Sequence, residues 1–230
     1  MQKFFIGLIL FFIPFSYLPT NGTEAMLTSD ESLTACSTLY SEMNLSHLVN
    51  YDAFEQAIIG YQKIKGRRKD ILTLIDFTKP STEERMYVLD MKNRRLLYSS
   101  HVSHGRNSGG NYATSFSNKS GSYKSSLGFY LTENTYQGRN GYSLILNGLE
   151  KDINDKAKER AIVIHGAPYA NPSVIKSSGR LGRSLGCPAL PLAVSKPIID
   201  TIKGGSLLYI YANNYDYIAQ SVILPDTTRM

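Results

Sequence analysis

Short apolar runs separated by turn residues fill the chain from position 71 onward, and they constrain its fold more than any other feature. The clearest are ILTLIDF at 71–77 and AIVIHG at 161–166. Runs of four to eight apolar residues bounded by Gly, Asn or Ser are typical of β-strands. We therefore predict further strands at 85–91, 95–102, 127–132, 142–148 and 206–212.

Residues 29–65 follow a different pattern, because their apolar positions recur at a spacing of three and four. This spacing is typical of amphipathic helices. Asn50 or Asp52 is placed to cap a second helix, and Gly66 is placed to end it. The predicted fold class is mostly β, with a small N-terminal helical segment.

Three later segments interrupt the strand pattern. The polar stretch 154–160 predicts one or two helical turns, and 167–183 predicts a long loop. Residues 197–203 predict a short helix that ends at a pair of glycines.

The first residues are typical of an export signal. One Lys precedes an apolar run over 4–15, which is too short to span a bilayer but suits a signal-peptide core. The predicted organisation is a signal peptide over 1–25, a helical lead over 26–68 and a β-rich domain over 69–230. An uncleaved anchor is the alternative. With cleavage, the protein is exported and keeps no membrane anchor.

Composition excludes several classes of protein. The chain is 42% hydrophobic and 19% charged, which is typical of a globular protein rather than a disordered one. Its net charge of +6 favours an acidic partner such as an envelope polymer or anionic lipid. No Lys/Arg tract with interleaved aromatic residues is present, so no nucleic-acid partner is expected. Two cysteines exclude a disulfide framework and a zinc site built from Cys alone.

The densest chemical pattern joins His165, at the end of a predicted strand, to GRSLGCP at 182–188. A cysteine is a nucleophile as its thiolate, so Cys187 needs a base, and His165 is the candidate. The backbone N–H groups of Gly186 and Cys187 are candidates to hold an oxyanion. Arg180 and Arg183 are placed to add positive potential in the same loop.

Other readings of these residues stay open. Cys187 can be inert, His165 structural, or Cys187 paired with Cys36 in a disulfide. A zinc site formed by His101, His104, His165 and Cys187 is disfavoured, because HxxH at the end of a strand does not place both rings on one face. We therefore expect no metal and no cofactor.

The motif resembles the L,D-transpeptidase (YkuD-type) family, and in particular its divergent murein L,D-transpeptidase branch. The signature is a His, a spacer and then Ser/Thr-His-Gly-Cys. Leu185 replaces the second His of the motif. The matching positions are His165, Ser184, Gly186 and Cys187, and the resemblance covers roughly residues 85–212, including 101–109, 116–118, 125–130 and 182–190.

The resemblance implies a function and a set of roles. Cys187 would attack the bond between meso-diaminopimelate and the terminal D-Ala of a peptidoglycan tetrapeptide stem, in the periplasm or cell envelope of a bacterium. His165 would be the base, and the carbonyl of Gly166 would orient it. Ser184 would support the loop or touch the substrate.

Substrate binding is the role we predict for four further side chains. Arg180 and Arg183 are candidates to bind stem-peptide carboxylates, with a solvated loop as the alternative. His101 and His104 are candidates to position the substrate, and the alternative for them is a structural hydrogen-bonding role. Two alternatives to transpeptidation remain at this point. One is hydrolysis of the same bond by a cysteine L,D-carboxypeptidase or amidase. The other is a catalytically weak module that binds peptidoglycan. The oligomeric state is not encoded in any motif.

Overall fold

The computed structural model describes residues 29–224, so the predicted signal peptide over 1–25 lies outside the described residues. Within that range the structure has eight strands and five α-helices. The strands are β1 Ile71–Asp76, β2 Met86–Asp90, β3 Arg95–Ser100, β4 Gly128–Gly138, β5 Gly141–Gly148, β6 Val163–Gly166, β7 Ala189–Leu190 and β8 Leu207–Tyr211. The helices are α1 Ser29–Glu42, α2 Tyr51–Lys63, α3 Ser173–Ser178, α4 Leu192–Ile202 and α5 Tyr215–Gln220.

All eight strands form one mixed sheet, in the order β3-β2-β1-β8-β4-β5-β6-β7. The pairs β1–β8 and β6–β7 are parallel, and the other neighbouring pairs are antiparallel. The strand β8 is buried along its whole length, as its unbroken apolar sequence requires of a central strand. The predicted mostly-β class with small N-terminal helices is confirmed.

The β6–β7 edge of the sheet carries the residues of the predicted site. Parallel pairing places His165 opposite Ala189. On the far side of β7, Ser103 bridges to Ala189, and Gly105 bridges to Ser184. The segment around 103–105 is therefore fixed against the loop that contains the motif.

The N-terminal helices share one hydrophobic core with the sheet. The α2 residues Ala53, Phe54 and Ala57 are fully buried in that core. Asn50 caps α2, because its side-chain oxygen accepts a hydrogen bond from the Ala53 N–H at 3.2 Å. Among the described residues, no helix is both long and apolar enough to cross a membrane.

Several elements differ from the sequence prediction. Helix α4 begins at Leu192 rather than at 197, and Pro197 lies inside it. The Leu192 N–H donates to the side-chain oxygen of Asn171, a cap from a distant loop that no local pattern reveals. The stretch 154–160 forms consecutive turns. The predicted loop 167–183 contains α3 and a 3₁₀ helix, and the two-residue strand β7 was missed.

Gly60→Ala tests the packing of α2 on the sheet. A Cβ at Gly60 would overlap the buried ring of Phe129, which stacks on Tyr209 with centroids 4.2 Å apart. Alanine gains about 1 kcal/mol of helix propensity over glycine, whereas overpacking a core costs about 1–3 kcal/mol. We expect a lower free energy of unfolding in urea. The control is Gly110→Ala, where a Cβ meets no atom within 4 Å. Stabilisation by Gly60→Ala would contradict this packing.

Candidate active site

The thiol of Cys187 lies against the strand that carries His165. Its Sγ is 3.5 Å from the N–H of Val163 and 3.5 Å from the carbonyl oxygen of Ala161. The sulfur thus accepts from one backbone group and donates to the other. Because His165 pairs with Ala189, Cys187 stands two residues further back, opposite Val163. The side chain is only 8% exposed.

The ring of His165 is held in one tautomer. Its Nδ1 lies 3.0 Å from the carbonyl oxygen of Gly166. A carbonyl can only accept, so Nδ1 carries the proton and Nε2 keeps a lone pair. Burial lowers the pKa of His165 below its ordinary 6.5. The imidazole is therefore neutral at pH 7, in the form that can take a proton.

The electrostatics of Cys187 favour a neutral thiol at rest. Burial raises the pKa of Cys187, while the N–H of Val163 and the guanidinium of Arg160 lower it. Burial is the largest of these effects, so the pKa stays above its ordinary value of 9.0. The site therefore contains a neutral thiol and a neutral imidazole.

The loop before Cys187 is braced by Ser184. Its hydroxyl donates to the carbonyl of Cys187 at 2.6 Å and accepts from the N–H of Gly186 at 3.0 Å. Gly186 has a φ of +131°, and a Cβ there would lie 2.8 Å from a methyl carbon of Ile162. Only glycine fits this position without a shift of its neighbours.

This brace corrects one expectation about oxyanion binding. The N–H of Gly186 is engaged by Ser184, so it is not free to hold an oxyanion in this structure. The N–H of Cys187 lowers the pKa of its own thiol and stays a candidate to hold an oxyanion.

Two serines that sequence reasoning missed also hold the loop. Ser125 donates from its hydroxyl to the carbonyl of Gly186 at 3.1 Å and accepts from the N–H of Gly105 at 3.0 Å. The backbone N–H of Ser125 donates to the hydroxyl of Ser108 at 2.9 Å. Ser108 and Ser125 lie in segments 101–109 and 125–130, which carry the family resemblance, and that was the one signal in the sequence that could have pointed to them.

His104 is a buried structural residue, which corrects the prediction that it positions substrate. Its side chain is 1% exposed, Nδ1 accepts from Arg85 at 2.8 Å, and Nε2 lies 3.4 Å from the carbonyl of Gly109. Burial and the charge of Arg85 lower the pKa of His104 to about 4. No ring nitrogen is left for a ligand. The backbone carbonyl of His104 instead accepts from the N–H of Ser184 at 2.9 Å.

The other predicted substrate-binding side chains bond to backbone carbonyls of neighbouring loops. Arg180 donates to the carbonyl of Leu181 at 2.7 Å, and Arg183 donates to that of Gly109 at 2.8 Å. His101 lies 3.2 Å from the carbonyl oxygen of Thr82. Within residues 29–224, no hydrogen bond joins these three side chains to the candidate thiol or imidazole.

The two cysteines have separate environments. Both are free thiols in the structure. Cys36 is buried on α1, and burial raises its pKa to about 11. Among the described residues, no group of three or more His, Cys, Asp or Glu side chains is arranged to hold a metal ion. Leu185, at the position of the second motif His, is 58% exposed.

Comparison with known families decides the assignment. A model of the L,D-transpeptidase catalytic domain matches residues 45–211. The chain belongs to that family. The match includes both His165 and Cys187, and it begins in the helical segment, just before α2. No curated protein matches the chain in a sequence search.

Solved structures of L,D-transpeptidases are similar to this chain at low sequence identity. One from Mycobacterium smegmatis is 13% identical, with a TM-score of 0.40, over 62% of this chain and 59% of its own length. One from Stackebrandtia nassauensis is 15% identical, with a TM-score of 0.37, over 81% of this chain and 80% of its own. L,D-transpeptidase 1 of Mycobacterium tuberculosis is 10% identical, with a TM-score of 0.36, over 62% of each chain.

Ser184→Ala tests the brace of the loop. The change leaves the N–H of Gly186 and the carbonyl of Cys187 without their hydroxyl partner in a buried place. Each unsatisfied buried group costs about 1–3 kcal/mol, so with two such groups we expect the free energy of unfolding to fall by at least that amount. Ser177→Ala is the control, since that exposed hydroxyl bonds only to the carbonyl of Val174. Equal effects of the two changes on unfolding in urea would argue against the brace.

Proposed function

We propose that the protein is an exported cysteine L,D-transpeptidase that acts on peptidoglycan stem peptides in the bacterial cell envelope. The family match over residues 45–211 supports the reaction class. One observation carries the assignment of residues. The sulfur of Cys187 contacts the backbone of β6 two residues before His165, whose Nε2 keeps a free lone pair.

In the proposed first half-reaction, Nε2 of His165 takes the thiol proton while Sγ attacks the carbonyl between meso-diaminopimelate and D-Ala. The N–H of Cys187 faces the developing oxyanion. His165 then returns the proton to the leaving amine, and D-Ala departs. The stem remains bound to Cys187 as a thioester.

In the second half-reaction, an amine of a second stem peptide attacks the thioester carbonyl. The amine gives its proton to His165, a new amide forms, and the thiol is regenerated. Because both Cys187 and His165 begin and end neutral, no charge has to be stored in the buried site between turnovers.

Product analysis tests the proposal. The purified protein is incubated with disaccharide-tetrapeptides, and the products are read by mass spectrometry. We expect crosslinked dimers that have lost one D-Ala, and none from Cys187→Ala. The matched control is Cys36→Ala, which removes the other buried thiol and should keep the activity. Tripeptides without dimers would show that the protein hydrolyses the bond, as a cysteine L,D-carboxypeptidase does, and does not transfer the acyl group to an amine. Dimers formed by Cys187→Ala would exclude this nucleophile.

His165→Ala should lower turnover by about 10²–10⁴-fold, the usual contribution of a general base. The matched control is His47→Ala, because His47 is exposed in the turn between α1 and α2. The measurement is the initial rate of D-Ala release. Wild-type rates in His165→Ala would assign the base to another group.

The pH dependence of kcat/KM follows from the lowered pKa of His165. The imidazole is neutral above pH 6.5 and gains a proton only as the pH falls through its lowered pKa. We therefore expect kcat/KM to hold steady from pH 7.5 to about 6.5 and to fall below that. An acidic limb centred above pH 7 would contradict a neutral resting imidazole.

A further inference from the structure

Arg160 stands at the start of the backbone segment that contacts the sulfur of Cys187. Its guanidinium is half-buried and donates only to neutral oxygens. These are the carbonyls of Ser117 at 2.8 Å and Lys124 at 2.6 Å, and the hydroxyls of Ser126 at 2.5 Å and Ser122 at 3.3 Å. No ion pair joins Arg160 to an acidic side chain within residues 29–224. Its positive charge is thus left uncompensated next to the site.

The guanidinium lies against the peptide that precedes the nucleophile. Its Nη2 is 3.5 Å from the point where a Cβ on Gly186 would be. The Lys124 carbonyl, which Nη2 holds, is 3.0 Å from the same point. On the other side, Ala161 follows Arg160 directly and provides the carbonyl that accepts from Sγ.

Two ionisable groups interact with this charge, the hydroxyl of Tyr130 and the thiol of Cys187. Complete burial raises the pKa of Tyr130 far above its ordinary value, so that group stays neutral. The Cys187 thiolate is therefore the anion that the guanidinium can stabilise. Leu185, in the motif position next to Gly186, supplies no charge.

We propose that Arg160 is a positioning residue whose guanidinium lies beside Gly186 and stabilises the sulfur of Cys187 by its positive charge as the thiol becomes a thiolate. This inference rests on the proposed function, in which Cys187 is the nucleophile. Tyr169, in the 3₁₀ helix that follows β6, also interacts with the thiol, and its ring contacts that of His165 on β6. His165 is neutral, and Tyr169 can only add negative charge.

The test measures the alkylation rate of Cys187 without substrate. Iodoacetamide is applied from pH 7 to 9, and the modified peptide is quantified by mass spectrometry, which separates Cys187 from Cys36. The rate below the thiol pKa is proportional to the thiolate fraction. We expect Arg160→Gln to lower it about tenfold, which corresponds to one pKa unit. Arg160→Lys keeps the charge and should stay within about threefold of the wild type.

The matched control is Arg139→Gln, which removes the same charge from the exposed turn between β4 and β5 and should leave the rate unchanged. If Arg160 only held the loop together by hydrogen bonds, Arg160→Gln and Arg160→Lys would lower the alkylation rate of Cys187 equally. That result would overturn the inference. An unchanged rate in Arg160→Gln with a native circular dichroism spectrum would also overturn it.

A second measurement needs no variant and covers the case in which Arg160→Gln does not fold. Iodoacetate carries a negative charge that a neighbouring guanidinium attracts. We expect the ratio of the iodoacetate rate to the iodoacetamide rate to be higher for native Cys187 than for the same cysteine in urea. An equal or lower native ratio contradicts the inference.

These thiol measurements separate the two proposals. If the rates follow the charge at position 160 while Cys187→Ala still forms dimers, the inference stands and the proposed function falls. If Cys187→Ala is inactive while the alkylation rate does not depend on the charge at position 160, the proposed function stands and the inference about Arg160 falls.

Discussion

The pairing of β6 with β7 is the constraint on which the site depends. It sets His165 opposite Ala189 and brings the sulfur of Cys187 against the N–H of Val163. His165 lies within β6, and Cys187 stands two residues before β7 and contacts the backbone of β6. Strand register fixes positions to a fraction of an ångström, whereas an unpaired loop does not. A shift of this register by one residue would turn the imidazole to the other face of the sheet.

Burial is the second determinant, and it decides the protonation state of the site. It raises the pKa of Cys187 and lowers that of His165, so both groups rest neutral. In the proposed mechanism the proton therefore moves during attack rather than before it. The N–H of Val163 and the charge of Arg160 lower the pKa of Cys187 and so partly offset the effect of burial. The two hydrogen bonds of the Ser184 hydroxyl hold the turn at Gly186 and Cys187 in place.

Local patterns in the sequence were enough to predict most strands and the cap of α2, for which Asn50 and Asp52 were the two candidates. They failed where a partner comes from far along the chain. The ring of His104 accepts a hydrogen bond from Arg85, and the N–H of Leu192, at the start of α4, donates to Asn171. Arg160 belongs to no motif in the sequence. Its hydrogen-bond partners lie in the loop over 117–126, which no local pattern connects to it. Two-residue β7 is too short for any hydrophobic period to reveal it.

The central claim is that Cys187 carries the acyl group, and trapping the intermediate tests it most directly. The protein is mixed with tetrapeptide stem in the absence of an amine acceptor, quenched in acid, and its intact mass and peptide map are measured. The account predicts a mass increase equal to the stem without its D-Ala, on the peptide that contains Cys187 and labile to hydroxylamine. An adduct on another residue, or D-Ala release with no adduct under conditions that preserve thioesters, would contradict it.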